Sequence, residues 1–426
     1  MLPPVKVDVL VVGAGPAGMM AAGQAARQNV RVVLLEKMQQ PGLKLRITGK
    51  RRCNLTNELE IKDFITKFGK QGPFLWQSFA QFFNDDLVQF FTDLGIQCSR
   101  ERGGRIFPAD GDAVRITNAL LQWVKSSGVQ IQLDSRLRNL DFSSAGIIKA
   151  RISKKADEQA FLAQTVIIAT GGASYPGTGS TGDGYPIAKA MGHSIVPQHP
   201  ALVPLNTAFS SRYQLNGLHL RNVKLSLWND GRLLSEQFGE MDFTRAGING
   251  PIVLQQSKTA VSILDAGKAL HAHLDMKPAL LPEQLDKRLQ RDLAAKGKVQ
   301  LKEILKGLLP IQMIPVLLDQ CDLQGSIPAH QVDRKQRLSL VLHLKAIEFQ
   351  IQGHRGFKDA IVTSGGIALD GIDPRTMASR IQPSVYFAGE ILDLDGPTGG
   401  YNLQVAFSTG WLAGNSAAQA VIRNKI

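Results

Sequence analysis

The chain has 426 residues, 44% of them hydrophobic and 20% charged, so it can bury a large core and is neither disordered nor fibrous. Its net charge of +13 fits either a soluble enzyme with a basic surface or a nucleic-acid binder. The longest basic run is only Lys50, Arg51 and Arg52, and we find no nucleic-acid-binding motif, so nucleic acid is not expected as a partner.

The N-terminal segment has the pattern of a βαβ unit. Residues 7–12 form a near-continuous apolar run, as in a strand buried on both faces of a parallel sheet. Residues 16–28 are rich in alanine and glycine, which favours a helix packed closely on that sheet, and residues 31–35 predict a second buried strand. A charged residue, glycines and a proline interrupt this apolar stretch, so no membrane span is expected.

The pattern changes twice further along the chain. Helices are predicted at 74–94 and 113–127, and a β-meander over 129–169, with strands at 129–133, 147–152 and 161–169 and turn signals at 139–146. Residues 195–275 predict short strands, including a hairpin at Asn229, Asp230 and Gly231. Residues 278–343 are helical in pattern, followed by strands at 347–351, 360–363 and 385–388 and a helix at 402–421.

We therefore predict an α/β fold in which a Rossmann-like domain is interrupted by inserts. Residues 1–194 and 355–426 would form the nucleotide-binding domain. Residues 195–277 and 344–354 would form a β-rich substrate domain, and residues 278–343 a helical domain.

A dinucleotide fingerprint joins the first strand to the first helix. Gly13, Gly15 and Gly18 fit G-x-G-x-x-G, with Pro16 and Ala17 between the last two glycines. The glycines allow a tight turn, close approach of a pyrophosphate and close helix–strand packing, while the helix N-terminus attracts phosphate. Glu36 ends the second strand, where its carboxylate would accept hydrogen bonds from a ribose.

The fingerprint alone leaves FAD and NAD open. A nicotinamide dehydrogenase would normally continue with a second βαβ half, whereas this chain has a predicted meander that ends at Thr170, Gly171 and Gly172. A second glycine-rich segment, 396–401, precedes the last helix. The N-terminus of that helix would suit the pyrimidine edge of a flavin, where negative charge develops on reduction.

These motifs resemble the YhiN/BaiN-type flavoproteins, also described as aminoacetone-oxidase-like FAD-binding enzymes. The resemblance covers nearly the whole chain and rests on five stretches: 13–37, 42–57, 104–108, 169–184 and 389–404. It implies FAD as the cofactor and a glutathione-reductase-like FAD domain with inserted β-barrel-like and helical domains. The predicted cofactor-binding residues are Gly13, Gly15, Pro16, Ala17, Gly18, Glu36, Lys37, Arg46, Gly49, Arg52, Cys53, Asn54, Thr170, Gly171, Gly172, Gly389, Glu390, Asp395, Gly399, Gly400, Tyr401 and Asn402.

Two stretches depart from the family pattern. Lys50 and Arg51 stand where glycines usually precede the arginine–cysteine–asparagine string. Arg245 and Asn249 stand where the family tends to have histidine and serine. Arginine stays protonated and cannot replace a histidine as general base, so we assign no catalytic residue.

Other candidate sites are weaker. Residues 177–182 also match G-x-G-x-x-G but do not directly follow a strand, so NAD(P)H would dock only transiently. The eight histidines show no metal-ligand spacing, and no metal site is predicted. Cys53 lacks a nearby partner thiol and is expected to be buried and inert. The sparse cysteines and the absence of a signal-peptide pattern favour the cytoplasm.

The expected function is a FAD-dependent oxidoreductase that moves a hydride between flavin N5 and either NAD(P)H or a small organic substrate. The alternative is a flavin-binding module that senses redox state or associates with RNA without turning over a substrate.

Overall fold

The computed structural model describes residues 3–143, 146–154 and 157–425. Its strands are β1 Val5–Val12, β2 Val32–Leu35, β3 Thr56–Asn57, β4 Cys98–Glu101, β5 Arg105–Pro108, β6 Gln130–Gln132, β7 Ser135–Phe142, β8 Ile148–Lys154, β9 Asp157–Ile168, β10 Ile195–Ala201, β11 Leu205–Asn206, β12 His219–Asn229, β13 Arg232–Thr244, β14 Gly247–Asn249, β15 Leu270–Asp275, β16 Ile347–Ile351, β17 Gly353–His354, β18 Val362–Ile367 and β19 Val385–Phe387.

The helices are α1 Pro16–Ala26, α2 Leu43–Arg51, α3 Ile61–Thr66, α4 Trp76–Gln81, α5 Asn84–Asp93, α6 Ala113–Ser126, α7 Gly184–Ala190, α8 Ala208–Arg212, α9 Pro251–Asp265, α10 Pro282–Ala295, α11 Leu301–Leu305, α12 Ile314–Gln320, α13 Arg334–Lys345, α14 Gly356–Asp359 and α15 Tyr401–Arg423. The chain divides into two compact units: residues 1–199 with 361–426, and residues 200–360. None of the helices within the described residues is long and apolar enough to cross a membrane.

The first unit is built on a seven-stranded sheet. Strands β6, β2, β1, β9 and β19 are parallel neighbours in that order, and β8 and β7 extend the sheet antiparallel from the first half of β9. Every residue of β2 and β19, and the last six of β1, are buried, as expected for parallel strands covered on both faces. The sheet therefore joins the two ends of the chain.

Close packing of helices covers one face of this sheet. A Cβ at Gly410 or Gly414 of α15 would lie 2.3 Å from a carbonyl oxygen of α1, that of Ala17 or Ala21 respectively. A Cβ at Gly23 of α1 would lie 2.1 Å from the Trp123 ring on α6. These glycines bring the helices too close for larger residues.

The structure corrects two details of the predicted meander. Residues 130–132 pair in parallel with β2 at the far edge, so the meander comprises only β7, β8 and β9. The turn expected from residue 139 begins later, because β7 continues to Phe142, although residues 144 and 145 lie outside the described part. The turn is predicted too early because the end of β7 is polar and its buried and exposed residues alternate only weakly.

The helix predicted at 74–94 is also interrupted, between α4 and α5.

The second unit contains an antiparallel sheet in the order β16, β15, β12, β13, β14, β11, β17. The predicted hairpin between β12 and β13 is confirmed, with Asn229 paired to Arg232. The two edge strands, β16 and β17, are separated in the chain only by Gln352, so the sheet curls in a barrel-like way. Helices α10–α13 share one hydrophobic core with it, although a separate helical domain at 278–343 stays a prediction.

Candidate functional site

Four parallel strands end at the same edge of the first sheet. Val12 of β1 pairs with Leu35 of β2 and with Ile168 of β9, and Ile168 pairs with Phe387 of β19. Each of these strands is followed directly by predicted site residues. In open parallel sheets, ligands bind at this carboxyl edge. The fold thus brings together segments that lie up to about 375 residues apart in the chain, from Gly13–Gly18 to Gly389–Glu390.

The three fingerprint glycines have different surroundings. Gly13 has φ +100°, and a Cβ there would lie 2.5 Å from the Ala169 carbonyl oxygen, while a Cβ at Gly18 would lie 1.8 Å from the Gly13 oxygen. A Cβ at Gly15 would meet nothing within 4 Å. Packing within the protein therefore requires glycine at Gly13 and Gly18, whereas Gly15 borders open space.

Helix α1 begins at this open space. Pro16 is its first residue, and no described residue accepts a hydrogen bond from the amides of Gly15, Ala17 or Gly18. Unsatisfied first-turn amides and the positive end of the helix dipole form an anion site. The open space beside them suits a pyrophosphate.

The Glu36 carboxylate lies next to this turn. Its two oxygens accept hydrogen bonds from the amides of Ala14 and Met38, each at 2.9 Å. Burial raises the pKa of Glu36, and these amides partly offset that effect. The carboxylate is thus fixed in place, and its remaining lone pairs can accept from ribose hydroxyls.

Lys37 points to a neighbouring loop. Its Nζ donates to Asp183 at 2.7 Å and to Thr181, and Arg136 also pairs with Asp183. Burial raises the pKa of Asp183, but the hydrogen bonds from Lys37 and Thr181 outweigh it, so the pKa lies below its usual value. This network holds the 177–182 loop against the end of β2.

Glu390 is the centre of a polar network that motif reasoning did not identify. It pairs with Lys44 Nζ at 2.6 Å and accepts from the Thr363 amide at 2.8 Å. Ser174 Oγ donates to Glu390 at 3.1 Å and lies 2.7 Å from Thr363 Oγ1. Thr363 lies on β18, in a segment without a recognisable motif, so only the fold reveals that it hydrogen-bonds with Glu390 and Ser174.

Two hydroxyl groups near this network have no partner among the described residues. They are Thr170 Oγ1 and the Tyr185 hydroxyl, both buried. Burial raises the pKa of Tyr185, and the nearby Glu390 and Asp393 carboxylates raise it further. Such groups normally have a partner, so a bound ligand or water is expected to satisfy them.

The C-terminal glycine turn contacts the 54–57 segment. Gly400 has φ +96°, and a Cβ there would lie 2.3 Å from the Thr56 oxygen. The Asn54 side-chain oxygen accepts from Gly400 N at 3.0 Å, and Asn57 Nδ2 donates to the Gly399 oxygen at 3.3 Å. Tyr401 is the first residue of α15, and Asn402 closes the turn with hydrogen bonds to both backbone groups of Gly396.

The remaining predicted residues are placed less directly. Arg52 pairs with Glu101 and lies 4.4 Å above the Phe107 ring. Cys53 is fully buried, which raises its pKa to about 12. Three others have identified neighbours. Arg46 donates to Asn118, although its buried Nε has no partner within the described part of the chain. Gly49 lies beside Asn54, and Asp395 accepts from Ser364.

Two other sites considered from sequence find no geometric support. The second glycine motif, at 177–182, begins within the short 3-10 helix Pro176–Thr178 and packs against Met38 at Gly179, rather than directly joining a strand to a helix. Among the described residues, no three histidine, cysteine or acidic side chains could hold a metal ion.

Comparison with known proteins agrees with this geometry. The family described as HI0933-like protein Rossmann domain matches residues 7–416. A 3-dehydro-bile acid delta(4,6)-reductase of Clostridium scindens is 33% identical over 96% of this chain and 98% of its own length. A ribosomal RNA dihydrouridine synthase of Escherichia coli is 28% identical over 95% of this chain and 96% of its own.

A solved structure supports the fold. The 3-ketosteroid-delta4-(5alpha)-dehydrogenase of Rhodococcus jostii superposes with a TM-score of 0.53 at 16% identity, over 97% of both chains. The predicted Rossmann-like FAD-binding fold and the assignment as a flavin-dependent oxidoreductase are confirmed. The chain belongs to the HI0933-like Rossmann family.

Proposed function

We propose that this oxidoreductase binds FAD and reduces a carbon–carbon double bond conjugated with a carbonyl group in a small organic substrate. The names of the two relatives described above fit reductions of this kind: one is a 3-dehydro-bile acid delta(4,6)-reductase, and the other is a ribosomal RNA dihydrouridine synthase, whose product is uridine with its ring double bond reduced. The two relatives share most of this chain's length, although their substrates differ in size and shape. A common bond type with different surroundings is what a shared flavin site would produce.

The observation that carries the cofactor assignment is the open space at Gly15. It is bordered by three backbone amides that donate no hydrogen bond to any described residue, and it lies next to the Glu36 carboxylate. The amides of Gly15, Ala17 and Gly18 would hold the pyrophosphate, and Glu36 the adenosine ribose. Thr170 and Glu390, at the ends of β9 and β19, would bind the flavin side of the cofactor.

When bound and reduced to FADH⁻ by a two-electron donor, the cofactor would supply a hydride from N5. The substrate would take up this hydride at the carbon β to its carbonyl and a proton at the α carbon, so that one double bond is saturated and the flavin returns to FAD. The chain's own task is to hold the substrate carbonyl and to deliver the proton. The first turn of α15, beginning at Tyr401, would face the pyrimidine edge, where its amides stabilise negative charge.

A second candidate substrate is a uracil base within RNA. It contains the same conjugated bond, and the net charge of +13 is compatible with a polyanionic partner, although the sequence has no nucleic-acid-binding motif. We also propose a cytoplasmic location for the protein, because its three cysteines, Cys53, Cys98 and Cys321, are all free, as is usual in a reducing compartment.

The experiment begins with the purified protein and its absorption spectrum. Mass analysis of the released cofactor should show FAD, and a protein that neither contains nor takes up FAD would contradict the cofactor assignment. The enzyme is then reduced with dithionite without oxygen and mixed with a 3-keto-4-ene steroid or a uracil-containing RNA transcript. Reoxidation by a conjugated substrate, but not by its saturated analogue, supports the proposal. Reoxidation only by oxygen would overturn the assigned bond type.

A further inference from the structure

The turn that ends α2 has an unusual backbone. Gly49, Lys50, Arg51 and Cys53 all have positive φ, at 57°, 57°, 70° and 58°. In this left-handed region, residues with a Cβ are strained and glycine is not. Lys50 and Arg51, which both have a Cβ, occupy two of these positions. This chain therefore keeps two residues with a strained backbone at positions where glycine would be unstrained.

The strained residues are also uncompensated charges. Lys50 and Arg51 are exposed, and neither has an ion pair or side-chain hydrogen bond with any described residue. Their neighbour Arg52 differs, because it pairs with Glu101 and covers Phe107. Backbone strain and repulsion between the two like charges both disfavour this turn in the free protein. A bound anion would screen the repulsion, and its binding free energy would offset the strain.

The turn lies beside the proposed flavin site. Asn54, immediately after it, accepts a hydrogen bond from Gly400 N at 3.0 Å, and a Cβ at Gly49 would lie 3.1 Å from Asn54 N. Gly400 precedes α15, whose first turn is proposed to face the flavin. An anion on Lys50 and Arg51 would thus be held next to the flavin.

We propose that Lys50 and Arg51 bind the phosphate groups of NADPH or NADH while it reduces the flavin. This inference rests on the proposed function. The 177–182 loop packs on Met38 and does not form a second nucleotide fold, so a nucleotide donor needs cations elsewhere. The hydride leaves C4 of the nicotinamide and arrives at flavin N5. The nucleotide is oxidised to NADP⁺ or NAD⁺, and FAD is reduced to FADH⁻.

The test uses the flavin-loaded full chain and needs no organic substrate. In the double variant Lys50→Gln/Arg51→Gln, the Kd of NADP⁺ for the oxidised protein should rise about ten-fold or more, since two charge-assisted contacts are lost. The Kd from anaerobic reduction by NADPH should rise equally, with the limiting rate unchanged. The matched control is Lys62→Gln/Lys67→Gln, which removes two exposed charges on and beside α3 and should bind as the wild type does.

Further arms separate the alternatives. If only NADPH loses affinity, the turn binds the 2′-phosphate; if NADH loses it too, the turn binds the pyrophosphate. Lys50→Gly/Arg51→Gly should lose the same affinity but raise Tm above that of the glutamine variant, because glycine relieves the strain. Unchanged affinity of the glutamine variant for both nucleotides would overturn the inference. This holds also if that variant loses binding to an RNA hairpin, because the turn would then bind RNA and not the nucleotide donor. Failure of both nucleotides to reduce a flavin that dithionite reduces would overturn it too, while leaving the proposed reaction intact.

Discussion

Replacing Glu36 with alanine is expected to weaken FAD binding about ten- to a hundred-fold, because a charge-assisted hydrogen bond contributes roughly 1.5–3 kcal/mol. The carboxylate is already oriented by the Ala14 and Met38 amides at 2.9 Å. Little ordering cost therefore remains when a ribose hydroxyl binds. The same two amides lose their acceptor in the variant, so the apoprotein should also lose about 1–2 kcal/mol of stability.

These two effects can be measured separately. The Kd is obtained by titrating apoprotein with FAD and following flavin fluorescence, and stability by thermal unfolding of the apoprotein. Glu158→Ala, at an exposed position on β9, is the matched control and should change neither. A Glu36→Ala variant with lower Tm but unchanged Kd would show that Glu36 only supports the loop, and would refute the ribose assignment.

Three further predictions follow from the geometry. Gly15→Ala should change the apoprotein's free energy of unfolding by no more than about 0.5 kcal/mol but weaken FAD binding at least about ten-fold. Gly18→Ala should instead lower the free energy of unfolding by about 1–3 kcal/mol in thermal unfolding, because its Cβ would lie 1.8 Å from a carbonyl oxygen. Cys53, with a pKa of about 12 and no exposure, should resist iodoacetamide at pH 8 in mass-spectrometric mapping, while Cys98 and Cys321 react first. A chain cut near residue 355 should be poorly soluble and fail to bind FAD, and a fragment that binds FAD as the whole chain does would contradict the two-ended domain.

Local patterns were sufficient to predict the elements that line the cofactor edge. Strands β1 and β2 are short apolar runs buried on both faces, and such runs stand out in sequence. The fingerprint between them has a fixed spacing because three glycines meet three separate steric requirements. By contrast, the sequence pattern places β6 in the meander, whereas in the structure it pairs with β2, since strand pairing depends on contacts distant in sequence.

The polar network around Glu390 could not be derived in the same way. Lys44, Ser174, Thr363 and Glu390 come from four separate segments, and they meet only because α2, β18 and the ends of β9 and β19 converge. The strain at Lys50 and Arg51 was likewise hidden, because residue identity does not reveal φ. Sequence showed only that these residues depart from a glycine pattern, and the backbone explains why glycine is the favoured residue there.

The position of the fingerprint depends on the end of the chain. Helix α1 begins at the fingerprint, and α15 packs on it so closely that Gly410 and Gly414 have no room for a Cβ against Ala17 and Ala21. Strand β19 in turn extends the sheet beside β9. Removing these elements would uncover apolar helix and strand surfaces while leaving every fingerprint residue in place. An intact G-x-G-x-x-G motif is therefore not sufficient for binding, because the C-terminal helix holds the amides that would bind the pyrophosphate in position.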